Sequence, residues 1–298
     1  MLLFYRLRMI KKLKDYILLK LGITRINKRL DYLSSYINLT YPEAIPIDPM
    51  LMAGVLQRLK EKNAVEGFNP IIHKNDIMFA FSMFNLSYHQ PQAVYSYFFI
   101  GAMTVNNLKG ILNKNSISPQ RILDFGSGYG RVSRFFPKIF PDAEVSVSEV
   151  KKQALDFQQK SFNFKTIHHT QDAGTFPEEK FDFILALSVF THLPQTSFEA
   201  WMTKLVESLN PNGAMVFTFF SDDQFRGGTT GKDFAYVQQS EDTLLSFMSD
   251  SIRNTSDYGE TYISPNYLKN LLDSLNTTYT FLTKEEFGDH KGVLVRRK

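Results

Sequence analysis

The chain has 298 residues, 43% of them apolar and 27 of them Phe, so it can build a sizeable core and wholesale disorder is excluded. It has no Cys, which rules out disulfides, cysteine nucleophiles and thiolate metal sites and suits a reducing compartment. The pI near 9.0 is misleading: residues 1–30 hold nine Lys or Arg against one acid, a net of +8 within a total of +4, so the remainder is mildly acidic at −4.

In the first 30 residues, Leu3, Leu7, Ile10, Leu13, Ile17 and Leu21 recur at steps of three and four. Arg8, Lys11, Lys12 and Lys14 lie largely off that stripe. The segment is predicted to be a basic amphipathic helix. Docking on its own domain or on a second copy is the first reading, and peripheral contact with an anionic membrane surface is the second. The longest apolar run, Ala93 to Val105, is 13 residues and broken by Ser96, whereas a membrane-spanning helix needs about 20. With no signal-peptide pattern either, a cytoplasmic protein is expected, with the inner membrane surface as the peripheral alternative.

Pro42, Pro46 and Pro49 mark residues 41–48 as a linker or crossing segment. From Pro49 to about Lys114 the pattern is helical: one helix from Pro49 through Lys62, one capped by Asn75 through Phe84, and one from Pro91 through Leu112. Residues 31–118 are thus an N-terminal helical region. From residue 119 the rhythm changes. Candidate strands are Arg121–Phe125, Glu144–Ser148, Lys165–His168, Phe181–Leu187, Ala214–Phe220, Tyr279–Leu282 and Gly292–Arg296. Helical stretches fit Arg131–Ile139, Lys151–Ser161, Gln195–Leu209 and Pro265–Leu275. This alternation predicts an α/β fold with a mostly parallel sheet and helices on both faces, its ligand beyond the carboxyl ends of the strands. Residues 221–260 are long for a connection and are expected to be an insertion bordering the ligand.

Ile122-Leu-Asp-Phe is a buried strand that runs into Gly126, Gly128 and Gly130. A dinucleotide fingerprint, Gly-x-Gly-x-x-Gly, would put its third glycine at position 131, which is Arg131; the Gly-Lys-Ser/Thr of a phosphate-binding loop is absent. Asp124, two residues before the first glycine, suits a ligand with a cationic end rather than a pyrophosphate. Adjacent His168 and His169 point to opposite faces of a strand, so they do not pair as metal ligands.

Asp124-Phe-Gly-Ser-Gly-Tyr-Gly130 resembles the first motif of the class I S-adenosylmethionine-dependent methyltransferases. Other segments follow in the family's order: Glu149 ends the second strand, Asp172 follows the third, Phe181 to Leu193 looks like the fourth strand and its loop, and Leu209 to Phe217 looks like the turn into the fifth. The departures are Ser148-Glu149 where glycine and aspartate are more usual, and Asn212 where glycine is common. The resemblance covers residues 119–298. It implies a Rossmann-like doubly wound sheet of seven strands, the last antiparallel, and S-adenosyl-L-methionine as cofactor. Around that cofactor it places Asp124, Gly126, Ser127, Gly128, Gly130, Glu149, Asp172, Ala173 and Leu187, with Glu149 accepting from both ribose hydroxyls and Asp172 from the adenine amino group.

His192, just past the fourth strand, is the candidate general base, and Tyr258 is a second catalytic candidate. Arg131, Tyr236 and Tyr258 are candidate acceptor contacts, the two tyrosines on a lid formed by the insertion. The expected activity is methyl transfer to oxygen or nitrogen of a small molecule or glycan. An RNA or protein methyltransferase, or a non-catalytic cofactor-binding module, stands as the alternative. Nucleic acid is disfavoured by the acidic body and by the missing Asn/Asp-Pro-Pro-Tyr/Phe motif.

Overall fold

The computed structural model describes residues 43–62, 64–225, 229–238, 259–284 and 291–298. The basic arm and Tyr258 lie outside the described residues. No helix among the described residues is long and apolar enough to cross a membrane.

Three helices precede the sheet: α1 (Pro49–Glu61), α2 (Ile77–Asn85) and α3 (Gln90–Lys114). Asp48 caps α1 by accepting from the Leu51 N–H, and Asp76 caps α2 by accepting from the Met78 and Phe79 N–H groups. The α2 cap was expected one residue earlier, at Asn75. Asn75 instead donates its backbone N–H to His73 Nδ1. The segment read as a linker or crossing segment pairs with the chain before α2: Ala44 and His73 form an antiparallel bridge, with Ile45 N–H on the Ile72 carbonyl.

The sheet runs β3 (Lys165–His168), β2 (Glu144–Glu149), β1 (Arg121–Phe125), β4 (Phe181–Ala186) and β5 (Leu209–Ser221), all parallel. It continues through β9 (Lys291–Arg297) to β8 (Thr277–Leu282), and β9 is antiparallel to both neighbours. These are the seven strands expected, and the fold is the Rossmann-like α/β class. Asn212, in the turn where glycine is common, adopts a φ of 63°, a left-handed conformation that Asn tolerates better than most residues.

Residues 221–260 hold two further strands. β6 (Phe234–Gln238) pairs antiparallel with β7 (Gly259–Ile263), and β7 joins the end of β5 through Tyr262 and Ile263. Part of the expected loop is therefore a ribbon extending the sheet.

Alternation along the strands splits the core in two. Ile122, Phe183, Leu185, Ala214, Val216 and Leu294 face α3, together with Val94, Tyr97, Phe98, Val105 and Leu108 of that helix. Leu123, Ile184, Ala186, Met215, Phe217 and Val295 face α6 (Gln195–Glu207) and α7 (Pro265–Ser274), meeting Phe198, Trp201, Met202, Leu268 and Leu272. The N-terminal helices are thus a layer of the sheet's own core, and the apolar run from Ala93 to Val105 is buried there.

After Gly130 a continuous helix was expected from Arg131 to Ile139. The chain instead makes a 3-10 turn at Ser133–Phe135 and the single-turn helix α4 (Phe136–Ile139). Pro137 has no N–H to return to Ser133, so an α-helix cannot run through it. α5 (Lys152–Phe162) then covers β2 and β3.

α3 approaches the glycine-rich turn closely at Gly101. A Cβ there would lie 2.2 Å from the Arg131 carbonyl oxygen and 2.8 Å from the Phe135 ring. Gly101→Ala must therefore separate α3 from the turn. A loss of about 1–3 kcal/mol of unfolding free energy is expected from such overpacking, measurable by urea titration.

Candidate active site

The turn after β1 closes on the end of β2. The Gly126 and Ser127 N–H groups donate to the Ser148 carbonyl at 2.8 and 3.0 Å, and the Gly128 N–H donates to Glu149 Oε2 at 2.9 Å. Gly126 and Gly130 have φ values of 70° and 76°, the left-handed region that glycine enters without strain. A Cβ on Gly126 would also meet Val189 Cγ2 at 2.4 Å, and one on Gly130 would meet Phe162 and Gln158 within 3 Å. Gln158 of α5 braces the turn by donating to Ser127 Oγ and the Gly128 carbonyl, each at 2.8 Å.

On its far side the turn is held by Arg134. Its Nε donates to the Gly130 carbonyl at 2.7 Å, its Nη1 to the Ile71 carbonyl at 2.7 Å, and its Nη2 to the Tyr129 carbonyl and Tyr97 Oη. Tyr97 in turn donates to Asp76 Oδ2 at 2.5 Å. His73 stacks on Tyr129, ring centroids 4.4 Å apart. The N-terminal region and the turn are one hydrogen-bonded unit.

Beyond the carboxyl ends of β1, β2 and β4 lies a mostly apolar cavity of about 780 Å³. Asp124, Gly126, Ser127, Gly128, Arg131, Glu149, Leu187 and His192 all line it. Gly130 shapes the turn from behind. Asp172 and Ala173 depart from expectation: Asp172 caps the following 3-10 turn, its Oδ1 on the Gly174 N–H at 2.9 Å, and Ala173 is buried in the core against α6. In their place His169, Thr170 and Gln171 face the cavity. Tyr236 also stands away from the lining, its ring packed over Gly259.

Several lining groups were not singled out in the sequence. Asp76, Ile77 and Met78 arrive from α2, and Trp201 from α6. His169 is buried, stacked on Phe125 at 4.8 Å, with Nδ1 2.6 Å from Ser148 Oγ. Burial pulls its pKa down to about 4, so the ring is neutral at physiological pH. Only the Asp76 cap left a trace in the sequence, an acid just before an apolar run; the others depend on tertiary contacts.

The electrostatics follow from burial. Asp124 is 4% exposed and its pKa is raised to about 7, mainly by desolvation and further by the Glu149 charge; the Ser133 hydroxyl, 2.5 Å from Oδ2, and Arg131 oppose the rise. Glu149 uses Oε2 on Gly128 and Oε1 on the Val150 and Lys151 N–H groups, which holds the carboxylate in one orientation. A carboxylate offers about four acceptor sites, so with three taken about one remains for a ribose hydroxyl. His192 Nδ1 is 2.9 Å from the Gly259 carbonyl, a contact that requires a proton on Nδ1 and leaves the ring's lone pair on Nε2. Burial lowers its pKa, so the neutral ring prevails at pH 7.

The loop carrying His192 is tied to the ribbon of the insertion. The Thr261 N–H donates to the Thr191 carbonyl at 2.8 Å and its hydroxyl to the Leu193 carbonyl at 2.5 Å.

Two carboxylates along one wall, a turn without phosphate-binding lysine, and flat apolar sides suit a nucleoside with a cationic end, which is the chemistry of S-adenosyl-L-methionine. A methyltransferase-domain family matches residues 104–279. The chain belongs to this family, a class I family of S-adenosyl-L-methionine-dependent enzymes, and S-adenosyl-L-methionine is its cofactor. It is 31% identical over 114 residues to a malonyl-[acyl-carrier protein] O-methyltransferase of Halalkalibacterium halodurans, covering 36% of this chain and 41% of that one. It is 28% identical over 180 residues to alpha N-terminal protein methyltransferase 1 of Dictyostelium discoideum, covering 56% of this chain and 62% of that one. The chain thus spans less than two thirds of the length of either relative. In fold it is similar to DesVI of Streptomyces venezuelae, with a TM-score of 0.50 at 15% identity over 73% of this chain and 96% of that one. A similar likeness, TM-score 0.50 at 12% identity over 65% of this chain and 89% of that one, holds to the amino pentose methyltransferase CalS10 of Micromonospora echinaspora.

If the Asp124 carboxylate receives the cofactor's ammonium group, affinity follows its ionisation. Asp124 is protonated below about 7, so S-adenosylhomocysteine should bind more tightly at pH 8 than at pH 6. Calorimetry across that window should show the rise in wild type and a flat, weaker response in Asp124→Asn. A wild-type profile that is level or falls across the window would count against the assignment.

Proposed function

We propose that the protein transfers the methyl group of S-adenosyl-L-methionine to an oxygen or nitrogen of a small-molecule or glycan acceptor. The observation that carries this reading is the single cavity of about 780 Å³, in which the glycine-rich turn forms one wall and Asp76, Ile77 and Met78 of the N-terminal region form another. Cofactor and acceptor share one mostly apolar cleft, of the size that holds small ligands.

The proposed division of labour follows the lining. Glu149 takes a ribose hydroxyl with its remaining acceptor site, and Asp124 the cationic end of the amino acid. Bound there, the cofactor supplies an electrophilic methyl on a sulfonium centre. An acceptor lone pair forms the new bond to that carbon as the carbon–sulfur bond breaks, its electron pair returning to sulfur. Met78, Leu193 and Pro194 exclude water and hold the acceptor in line, and such positioning carries much of the rate. His192 receives the acceptor's proton at Nε2, while the Gly259 carbonyl holds its other nitrogen. The β6–β7 ribbon acts as a brace for this loop through Thr261.

His192→Asn should lower kcat by about 10²-fold or more, the usual contribution of a general base, with S-adenosylhomocysteine affinity unchanged. Transfer from labelled cofactor to extract fractions of small molecules, glycans, peptides and RNA would identify the acceptor. Label appearing in the RNA or peptide fraction alone would replace the proposed acceptor class. Thr261→Val removes one anchor of the loop and should lower kcat while sparing cofactor affinity; equal losses in both would argue that the ribbon has no specific role at the loop.

A further inference from the structure

Helix α2 is apolar on more than one face. Seven of its nine residues, Ile77-Met-Phe-Ala-Phe-Ser-Met-Phe-Asn85, are apolar, and no charged residue occurs from Ile77 to Tyr88. Its inner face is used: Phe79 is buried with its ring edge-on to Tyr97 of α3 at 5.7 Å, and Ser82 is buried with its hydroxyl on the Met78 carbonyl. A surface helix normally carries polar or charged residues on its outer face. On α2 that face holds Met78, 38% exposed, and Phe81, 44% exposed.

The exposed residues form a stripe rather than scattered points. Met78 and Phe81 are three positions apart and Ile77 and Phe81 four, the spacings of neighbours on one helix face. Helical side chains lean toward the N-terminus, so a ring at position 81 covers the turn that carries Ile77 and Met78. Phe84 follows three positions later, with Tyr88, 59% exposed, edge-on to its ring at 6.4 Å. At about 1.5 Å of rise per residue, Met78 to Phe84 spans about 9 Å.

The stripe begins inside the cavity. Ile77 and Met78 line it, whereas Phe81, one turn on, stands outside the lining. The loop that carries His192 adds Val189, Leu193 and Pro194 to the same lining. A group that leaves the cavity along α2 thus passes from apolar walls onto an apolar helix face. A polar or ionic extension would find no charged partner on α2, whereas a hydrocarbon one would remove both its own surface and that of Met78 and Phe81 from water. We propose that the acceptor is an amphiphile, its nucleophilic oxygen or nitrogen in the cavity and its apolar tail lying along α2 over Met78 and Phe81, and that Phe81 determines specificity for that tail. The inference rests on the proposed small-molecule acceptor.

The test uses the 4-n-alkylphenols from methyl to octyl, which keep one hydroxyl head and lengthen only the tail. Calorimetry would measure their binding to the complex with S-adenosylhomocysteine, for wild type, Phe81→Asp, Phe81→Leu and Val237→Asp. Wild-type affinity should rise about two- to fourfold per methylene up to the longest member, as progressive burial of CH2 groups requires. Phe81→Asp should weaken the octyl member about tenfold and leave the methyl member within about twofold, which also shows that the variant is folded. Phe81→Leu, which keeps an apolar side chain, should retain the wild-type slope. Val237→Asp, which changes a comparably exposed apolar residue on β6, should match wild type. Absence of binding by every member, an affinity that stops rising at short chains in wild type, an octyl affinity unchanged in Phe81→Asp, or an equal loss in Val237→Asp overturns the proposal alone. The acceptor reading fails separately, if label from S-adenosyl-L-methionine passes only to peptide or RNA, and this proposal falls with it.

Discussion

The buried guanidinium of Arg134 is the contact on which the rest of the site depends. It joins three carbonyl-bearing parts of the chain, the glycine-rich turn, the segment at Asn69 to Ile71, and α3 through Tyr97. Without it, the turn would meet the N-terminal region only through apolar packing and the His73–Tyr129 stack. Hydrogen bonds from a charged donor are about twice as strong as neutral ones, and five of them converge here. They fix the turn whose geometry places Asp124, Arg131 and Glu149 along one wall.

That geometry imposes its own electrostatic tension. Asp124 must lie at the end of a fully buried strand to reach the ligand, and burial there raises its pKa to about 7. Arg131 lines the same cavity, and burial lowers its pKa. A raised Asp124 pKa and a lowered Arg131 pKa, both driven mainly by burial, mark this cavity as a candidate binding site. Glu149 differs because three backbone N–H groups hold its carboxylate in place before any ligand arrives.

The β6–β7 ribbon changes how the insertion is understood. As a sequence, residues 221–260 read as a lid carrying two acceptor-contacting tyrosines. In the fold, β7 bonds to the loop after β4 at Thr191 and Leu193, and its Gly259 carbonyl orients His192. Tyr236 packs over Gly259 instead of entering the cavity. The described part of the insertion supports the site from behind.

The sequence by itself determined the seven-stranded sheet, the cofactor-binding turn and its carboxylates, because these depend on short-range signals: apolar runs, glycine spacing and an acid at a strand end. It put the α2 cap at Asn75, one residue short of Asp76, which holds it in the fold. What tertiary structure decided is everything set by contacts between distant segments. Asp172 looked like a ligand acid but caps the turn at Gly174 and is not in the cavity lining, while His169, set aside as a metal ligand, lines the cavity. Arg131 and Arg134 are the same residue type on one turn. One is satisfied by carbonyls more than 60 positions away in the chain, and the other is left open to the cavity. Periodicity cannot register that difference, because it is set by which distant backbone groups the fold brings within hydrogen-bond reach.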